Sequence, residues 1–269
     1  MDSLLCEKYN ALKERIRSLE CAAVAFSGGV DSSLLVYVAK DVLGDHAFAV
    51  TARSPLVPLA ETDASADFCR KYGVKQLFVD HNDLSAFCTN PPDRCYICKK
   101  QLFSAIFALA GKNGARYVLE GSNLDDEGDY RPGMRAVAEL GALSPLRECG
   151  FTKADIRAVS RELGLPTADK PSAACLASRF AYGELLAPER LAAVEQGETF
   201  LRSLGFGQLR LRVEGSNARI ELVPEEIGKA VAMREKITAK LAELGFVHIS
   251  LDLRGYRTGS MNEGVKQAP

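Results

Sequence analysis

The chain has 269 residues, 47% hydrophobic and 26% charged, enough apolar material for one large core or a core with a smaller companion domain. Its 34 Lys and Arg against 35 Asp and Glu leave a net charge of −1, so no global field holds a polyanion and a dedicated nucleic-acid partner is disfavoured. Charges interrupt the apolar positions near the start, and no run approaches the ~20 apolar residues of a membrane span, which predicts a soluble, cytoplasmic chain without a secretory signal.

In chain order, the short apolar run 21–26 predicts a strand, Ser27-Gly28-Gly29 a tight loop, and Leu34, Leu35, Val38, Ala39 and Val42 one face of a helix. The alternation continues with a strand over 48–51, a helix over 59–72, a strand over 76–79, a helix after Cys98 and a strand over 117–120. Such alternation implies an α/β, Rossmann-like parallel sheet covered on both faces, with right-handed crossovers. A helix over 153–163 follows, then a stretch, 167–186, with little periodicity, the kind of segment that belongs to function or to a linker. Leu191, Val194, Leu201 and Leu204 then mark a helix, 209–213 and 220–222 alternate as strands, 227–244 reads as one helix and 247–253 as a last strand. The expected organisation is therefore an α/β domain over 1–186 and a small α+β domain over 187–269, with a polar, frayed tail from Thr258.

The loop 27–33 sits where a first strand turns into a helix, so backbone N–H groups and the positive helix end can face an anion. It lacks the Gly-Lys-Ser/Thr ending of a Walker loop, and no Gly-x-Gly-x-x-Gly follows a strand. The bland reading is a turn whose Asp31 and Ser32 cap the helix. The residues Ala25, Phe26, Ser27, Gly28, Gly29, Val30, Asp31 and Ser32, however, resemble the pyrophosphate-binding loop of the PP-loop ATP pyrophosphatases, which include GMP synthetase, NAD synthetase, asparagine synthetase and several tRNA thiolases. The resemblance implies cleavage of ATP between its α and β phosphates, adenylation of an oxygen, and displacement of AMP by nitrogen or sulfur. It places ATP against the loop residues Ala25, Phe26, Ser27, Gly28, Gly29, Asp31, Ser32 and Ser33, with Mg²⁺ near Asp31. Because strand carboxyl ends border the crevice, adenine is expected near Ala25, Phe26, Thr51 and Gly121, and Asp126, just past a strand end, is a further metal candidate.

Further motifs narrow this. Glu120 to Asp126 lies past a strand end; the series continues through Gly128, Asp129, Tyr130, Arg131, Pro132 and Gly133, then Ser144-Pro145-Leu146-Arg147, Lys170-Pro171, and Ala174-Cys175-Leu176-Ala177-Ser178-Arg179. Together with the stretch from Leu251 to Glu263 these residues resemble the LarE family, sulfur transferases of nickel-pincer nucleotide synthesis, over almost the whole chain. The resemblance implies adenylation of a carboxylate of pyridinium-3,5-biscarboxylic acid mononucleotide, conversion to a thiocarboxylate, and a homo-oligomer, typically a hexamer.

Arg210 and Arg212 share the strand face opposite the leucines, and Arg219 and Glu221 alternate likewise on the next strand. Alternation alone suits the solvent face of a hairpin, whereas the resemblance makes these side chains substrate-phosphate and metal contacts, with Ser178 and Arg179 as further substrate contacts. Arg179 is otherwise a surface loop charge.

Eight cysteines in a chain of this kind point to reduced thiols, metal ligation or thiol chemistry before a disulfide framework. Cys175 matches the cysteine that sacrificial LarE members lose as dehydroalanine. The Cys95-Tyr96-Ile97-Cys98 pair could be half a zinc site, a redox pair or two unligated thiols. By resemblance to the cluster-dependent branch, Cys95, Cys98 and Cys175 hold a four-iron four-sulfur cluster that carries sulfide from a sulfur donor, and Lys99 and Lys100 offset the thiolate charge. Cys6, Cys21, Cys69, Cys88 and Cys149 read as packing residues. The competing functions are a tRNA thiolase, disfavoured by the charge balance and the missing zinc ribbon, an ammonia-using synthetase, which leaves the three thiols unused, and a nucleotide- or iron-binding protein without catalysis.

Overall fold

The computed structural model describes residues 2–126, 132–171 and 174–257. The motif residues 128–131 and the expected tail from Thr258, with the family match at 258–263, lie outside the described residues. The chain divides into two compact units, Met1–Asp83 with Asp93–Ala173, and Leu84–Pro92 with Ala174–Pro269.

The first unit runs α1 (Ser3–Arg17), β1 (Ala22–Ala25), α2 (Val30–Leu43), β2 (Ala47–Arg53), α3 (Leu59–Lys71), β3 (Lys75–Asp80), α4 (Arg94–Lys112), β4 (Tyr117–Leu119), α5 (Pro132–Glu139), α6 (Pro145–Glu148) and α7 (Lys153–Glu162). All four strands are parallel in the order β3-β2-β1-β4. The expected α/β parallel sheet is therefore present, and its two faces follow from strand periodicity. Ala22 and Val24 of β1 turn toward Leu12, Ile16, Leu34, Leu35, Phe68 and Ile156, while Ala23 turns the other way toward Phe103, Ile106 and Val118.

Three helices escaped the sequence reading. α1 buries Leu5, Leu12 and Ile16, a helical stripe partly hidden by its charges, and Asp2 caps it by accepting from the Leu5 N–H at 2.8 Å. α5 and α6 are single short segments of eight and four residues, below the length at which periodicity is informative. The helix expected after Cys98 begins earlier, at Arg94, because the N–H groups of Tyr96 and Ile97 already reach the Asp93 carbonyl at 2.8 and 3.2 Å. Cys95 and Cys98 thus lie on the first turns of α4.

The second unit contains α8 (Pro188–Ser203), β5 (Leu209–Glu214), β6 (Asn217–Leu222), α9 (Ile227–Ala232), α10 (Arg234–Glu243) and β7 (His248–Leu251), with the sheet order β5-β6-β7. β5 and β6 are antiparallel and β6 and β7 parallel. Two expectations need correction. The single helix over 227–244 is broken at Met233, whose backbone leaves the helical region, although buried Ala230, Ile237 and Leu241 keep one stripe across the break. The boundary at 186 falls instead at 173, and 84–92 joins the C-terminal unit. The Asn90 amide donates to the carbonyls of Phe180 and Ala181 at 3.0 and 2.7 Å, the Leu186 N–H donates to the Cys88 carbonyl at 2.7 Å, and Phe180 bridges to Val213 on β5. Side-chain and bridge contacts of this kind carry no sequence periodicity. Among the described residues no helix is long and apolar enough to cross a membrane.

Candidate active site

The sheet order sets where a ligand can sit. From β1 the chain winds outward through β2 and β3, then returns to place β4 on the other side of β1. Ligands of open α/β sheets bind outside the carboxyl ends of the strands at such a reversal, here β1 and β4.

At the end of β1, Phe26 stays paired to β2 through its N–H and the Val50 carbonyl at 2.9 Å, and the loop then turns at Gly28, whose φ of 74° disfavours any side chain. Gly29 occupies the N-cap of α2 and no side chain caps that helix, so Asp31 and Ser32 are not the cap. The Ser32 hydroxyl instead lies 3.1 Å from that of Ser27 and donates to the Gly29 carbonyl at 3.2 Å, bracing the loop from inside. Asp31 pairs through Oδ2 with Lys153 at the start of α7, and its Oδ1 is buried without a hydrogen-bond partner among the described residues. Lys170 spans the other side of the loop, donating to the Gly28 carbonyl at 2.9 Å and to Glu61 of α3 at 2.6 Å.

The end of β4 comes close at Gly121, where a Cβ would stand 3.1 Å from the Ser32 N and 3.2 Å from the Asp31 Cβ. Glu120 accepts from the Ser122 N–H and hydroxyl at 3.0 and 2.8 Å and from the Ser144 hydroxyl, tying the expected Ser144-Pro145 motif to this strand end. The Asp126 carboxylate accepts from the Asn123 N–H at 3.0 Å, so one of its oxygens closes a turn. Around the expected adenine position, Phe26 is buried against Phe68 and the Thr51 hydroxyl accepts from Gln76 at 2.8 Å, leaving Ala25 and Gly121 as the less enclosed pair. Ser33 is fully buried within α2.

In the C-terminal unit the face of β5 and β6 opposite the leucines is not a solvent face. Arg210 is 7% exposed, Glu221 is completely buried, and only Arg219 of the set is open. Arg210 and Glu221 are cross-strand partners, and Glu221 is 3.0 Å from Arg212 and 3.3 Å from Arg219. Arg210 lies over the Tyr256 ring at 5.1 Å, and burial followed by the Arg179 charge lowers its pKa. Arg212 also donates to the Ser178 carbonyl at 2.7 Å. Arg179 is not a surface charge either: its guanidinium forms two 2.9 Å bonds to Glu198 of α8 and donates to the carbonyl oxygens of Ala174 and Cys175 at 2.8 and 3.2 Å. Burial pushes the Glu198 carboxyl up, but the hydrogen bonds and charge of Arg179, with the Leu211 N–H and the Arg202 charge, together outweigh it and the net pKa is below the ordinary value. Cys175 itself is exposed at the head of the short 3₁₀ turn Leu176–Arg179.

Of the α4 thiols, Cys98 lies 3.4 Å from Nε2 of His81, whose pKa is lowered by burial. Lys100 does not stand ready to offset thiolates, because it pairs with Glu139 of α5 at 2.7 Å. Gly133 of α5 packs onto this turn, where a Cβ would stand 3.3 Å from the Cys95 carbonyl oxygen. Among the described residues no three or more His, Cys, Asp or Glu side chains gather as a metal-binding group. Cys69 is buried and its thiol is pushed up to about 12, as a packing residue should be.

No family model matches the chain. An uncharacterized protein of Synechocystis sp. is 42% identical over 264 residues, covering 96% of this chain and 98% of that protein. The pyridinium-3,5-bisthiocarboxylic acid mononucleotide synthase of Lactiplantibacillus plantarum is 39% identical over 267 residues, 98% of this chain and 97% of its own length. The chain belongs to the LarE family. One component of the glutamine-hydrolyzing GMP synthase of Thermoplasma volcanium is 32% identical over 168 residues, 56% of this chain and 53% of that protein, which agrees with placing LarE-type chains in the PP-loop ATP pyrophosphatase superfamily.

Within this LarE-type chain the sequence reading missed Lys153, Lys170, Glu61 and Glu198. Lys170 stands in a motif that gives it no role, and the other three lie in helices where a charge reads as solvated. Only the fold brings them to the loop or to Arg179.

Proposed function

We propose that the chain is an ATP-dependent sulfur transferase acting on pyridinium-3,5-biscarboxylic acid mononucleotide. A substrate carboxylate oxygen attacks the α-phosphorus of ATP and pyrophosphate departs, leaving an acyl adenylate. A sulfur nucleophile then adds to the acyl carbon and AMP leaves, so a C–O bond is exchanged for C–S. The observation that carries this reading is the glycine loop with no side-chain cap, at the reversal of a parallel sheet, in a chain similar over nearly its full length to a protein named for the bisthiocarboxylate product. The N-terminal domain handles ATP, the C-terminal domain handles the mononucleotide and self-association, and the homo-oligomer works in the cytoplasm.

The chain's own residues divide the work. The Ser27, Gly28 and Gly29 backbone receives the departing pyrophosphate, and Asp31 fits a Mg²⁺ contact because its Oδ1 is buried with no partner among the described residues. Arg210 and Arg212 bind the phosphate of the mononucleotide, with Arg219 and Glu221 beside them. Arg179 holds the Cys175 segment by its carbonyl groups, making it a positioning residue. Cys95 and Cys98 fit a shared ligand as far as their helix goes, since they lie three residues apart near the positive end of α4. Cys95, Cys98 and Cys175 would hold a four-iron four-sulfur cluster, which would supply sulfide for the acyl carbon.

The exposure of Cys175 favours a second reading, in which its own sulfur attacks and is lost, leaving dehydroalanine. Product analysis and anaerobic iron and sulfide content, followed by the mass of the Cys175 peptide after one turnover, test both. The expected result is AMP and pyrophosphate, iron-loaded protein, intact Cys175 and repeated turnover. Iron-free protein with Cys175 converted to dehydroalanine overturns the cluster and leaves the sacrificial route; ADP and phosphate as products remove the ATP pyrophosphatase assignment.

A further inference from the structure

The glycine loop carries no lysine of its own, yet the fold brings two to it. Lys153 begins α7 and reaches Asp31 on the first turn of α2; Lys170 lies beyond α7 and reaches the Gly28 carbonyl and Glu61. Both are anchored at the backbone. The Lys153 N–H donates to Asp125 at 2.8 Å beside the Thr152 and Asp155 capping box. The carbonyl groups of Ala168 and Lys170 accept from Arg157 of α7 at 2.6 and 2.9 Å. One helix therefore delivers both cations, Lys153 at its own start and Lys170 through Arg157.

We propose that Lys153 and Lys170 are the pyrophosphate-binding cations of this site, each resting on a protein acceptor that the nucleotide replaces. This rests on the reading of the loop as the ATP site. A helix end and backbone N–H groups offer only about half a unit of positive charge, while the β and γ phosphates of ATP carry several negative charges. Here the two ammonium groups sit beside two carboxylates, Asp31 and Glu61, so the loop without nucleotide is locally balanced. Neither ammonium is sealed in: the Lys153 and Lys170 side chains are 32% and 21% exposed. Lysine is a point charge on a flexible stem and can re-aim over a few ångströms without moving the backbone. When phosphate enters, Lys153 leaves Asp31 and Lys170 leaves the Gly28 carbonyl, and Asp31 becomes available to a cation on the same phosphates.

The alternative is that both lysines pin the loop and touch no phosphate. Calorimetric titration of the full chain with pyrophosphate, with a magnesium complex of a non-hydrolysable ATP analogue and with AMP separates the two, using Lys153→Met, Lys170→Met and the charge-preserving Lys153→Arg and Lys170→Arg. The expected result is at least a tenfold loss of pyrophosphate and ATP-analogue affinity in each Met variant, unchanged AMP affinity, and partial recovery in the Arg variants. Equal losses for AMP and for the ATP analogue, or no loss for either, overturn the assignment and return the lysines to a pinning role. If the unaltered chain binds none of the three ligands, the loop is not a nucleotide site and the proposed function fails with it. Thermal denaturation of each variant distinguishes lost binding from lost fold: a Met variant that is unfolded is replaced in the comparison by the matching Arg variant, which must still bind pyrophosphate more tightly than the same chain carrying Gln at that position.

Discussion

Arg179 and Glu198 face one another through two hydrogen bonds of 2.9 Å, with side chains only 3% and 2% exposed. The pair joins the Cys175 segment to α8, and Glu198 also accepts from the Leu211 N–H at 3.1 Å on β5. Removing Arg179 leaves the buried Glu198 carboxylate with only the half-exposed Arg202 at 3.0 Å and the Leu211 N–H, and removing the carboxylate leaves the buried Arg179 with carbonyl oxygens and a hydroxyl alone. Arg179→Met or Glu198→Gln should therefore each cost about 3–5 kcal/mol. Urea denaturation measures this. A loss under about 1 kcal/mol in both variants would mean that the pair is not buried in solution.

The same pair gives a pH dependence. The folded Glu198 carboxyl titrates below its ordinary value of 4.5, so its stabilisation is fully present above about pH 4.5 and declines as pH falls through the lower folded value. The stability gap between the unaltered chain and Glu198→Gln should therefore be constant from about pH 7 to 5 and shrink toward about pH 3. Denaturation midpoints across that range check it; a gap that widens on acidification contradicts the sign.

Arg210 and Arg212 should act on the mononucleotide and not on ATP. Charge-assisted hydrogen bonds are worth about 1.5–3 kcal/mol, so Arg210→Ala or Arg212→Ala should raise the substrate KM by roughly one to two orders of magnitude. ATP affinity in calorimetry should stay within a factor of about two. Unaltered kinetics in both variants would make these arginines structural partners of Glu221 and Tyr256.

Gly121→Ala places a Cβ within 3.1 Å of the Ser32 N. Overpacking of this kind costs about 1–3 kcal/mol, and here it presses on the loop and on Asp31. ATP affinity should fall while the mononucleotide still binds. A variant with full ATP affinity would show that β4 and α2 separate without consequence for the nucleotide.

The sequence by itself determined the parallel α/β unit, because short apolar strands and one-sided helices have periods that leave few alternatives. It also determined the glycine loop, since Gly28 and its neighbours are local requirements of backbone conformation, and it carried the family resemblance in motifs spread along the chain. It did not determine α1, α5 or α6, the break at Met233, or the attachment of 84–92 to the C-terminal unit, which depend on charged stripes, short spans or single tertiary bonds. The site divides the same way. Ser27, Gly28, Gly29 and Asp31 fall within five consecutive residues and were readable, whereas the partners of Asp31 and Arg179 are Lys153 and Glu198, far along the chain or on another helix. Burial removed two bland alternatives, the solvent face for Arg210 and Glu221, which form an enclosed charge cluster, and the surface charge for Arg179, which is a buried anchor. Alternation says which residues share a face; what covers that face is decided only when distant segments pack against it.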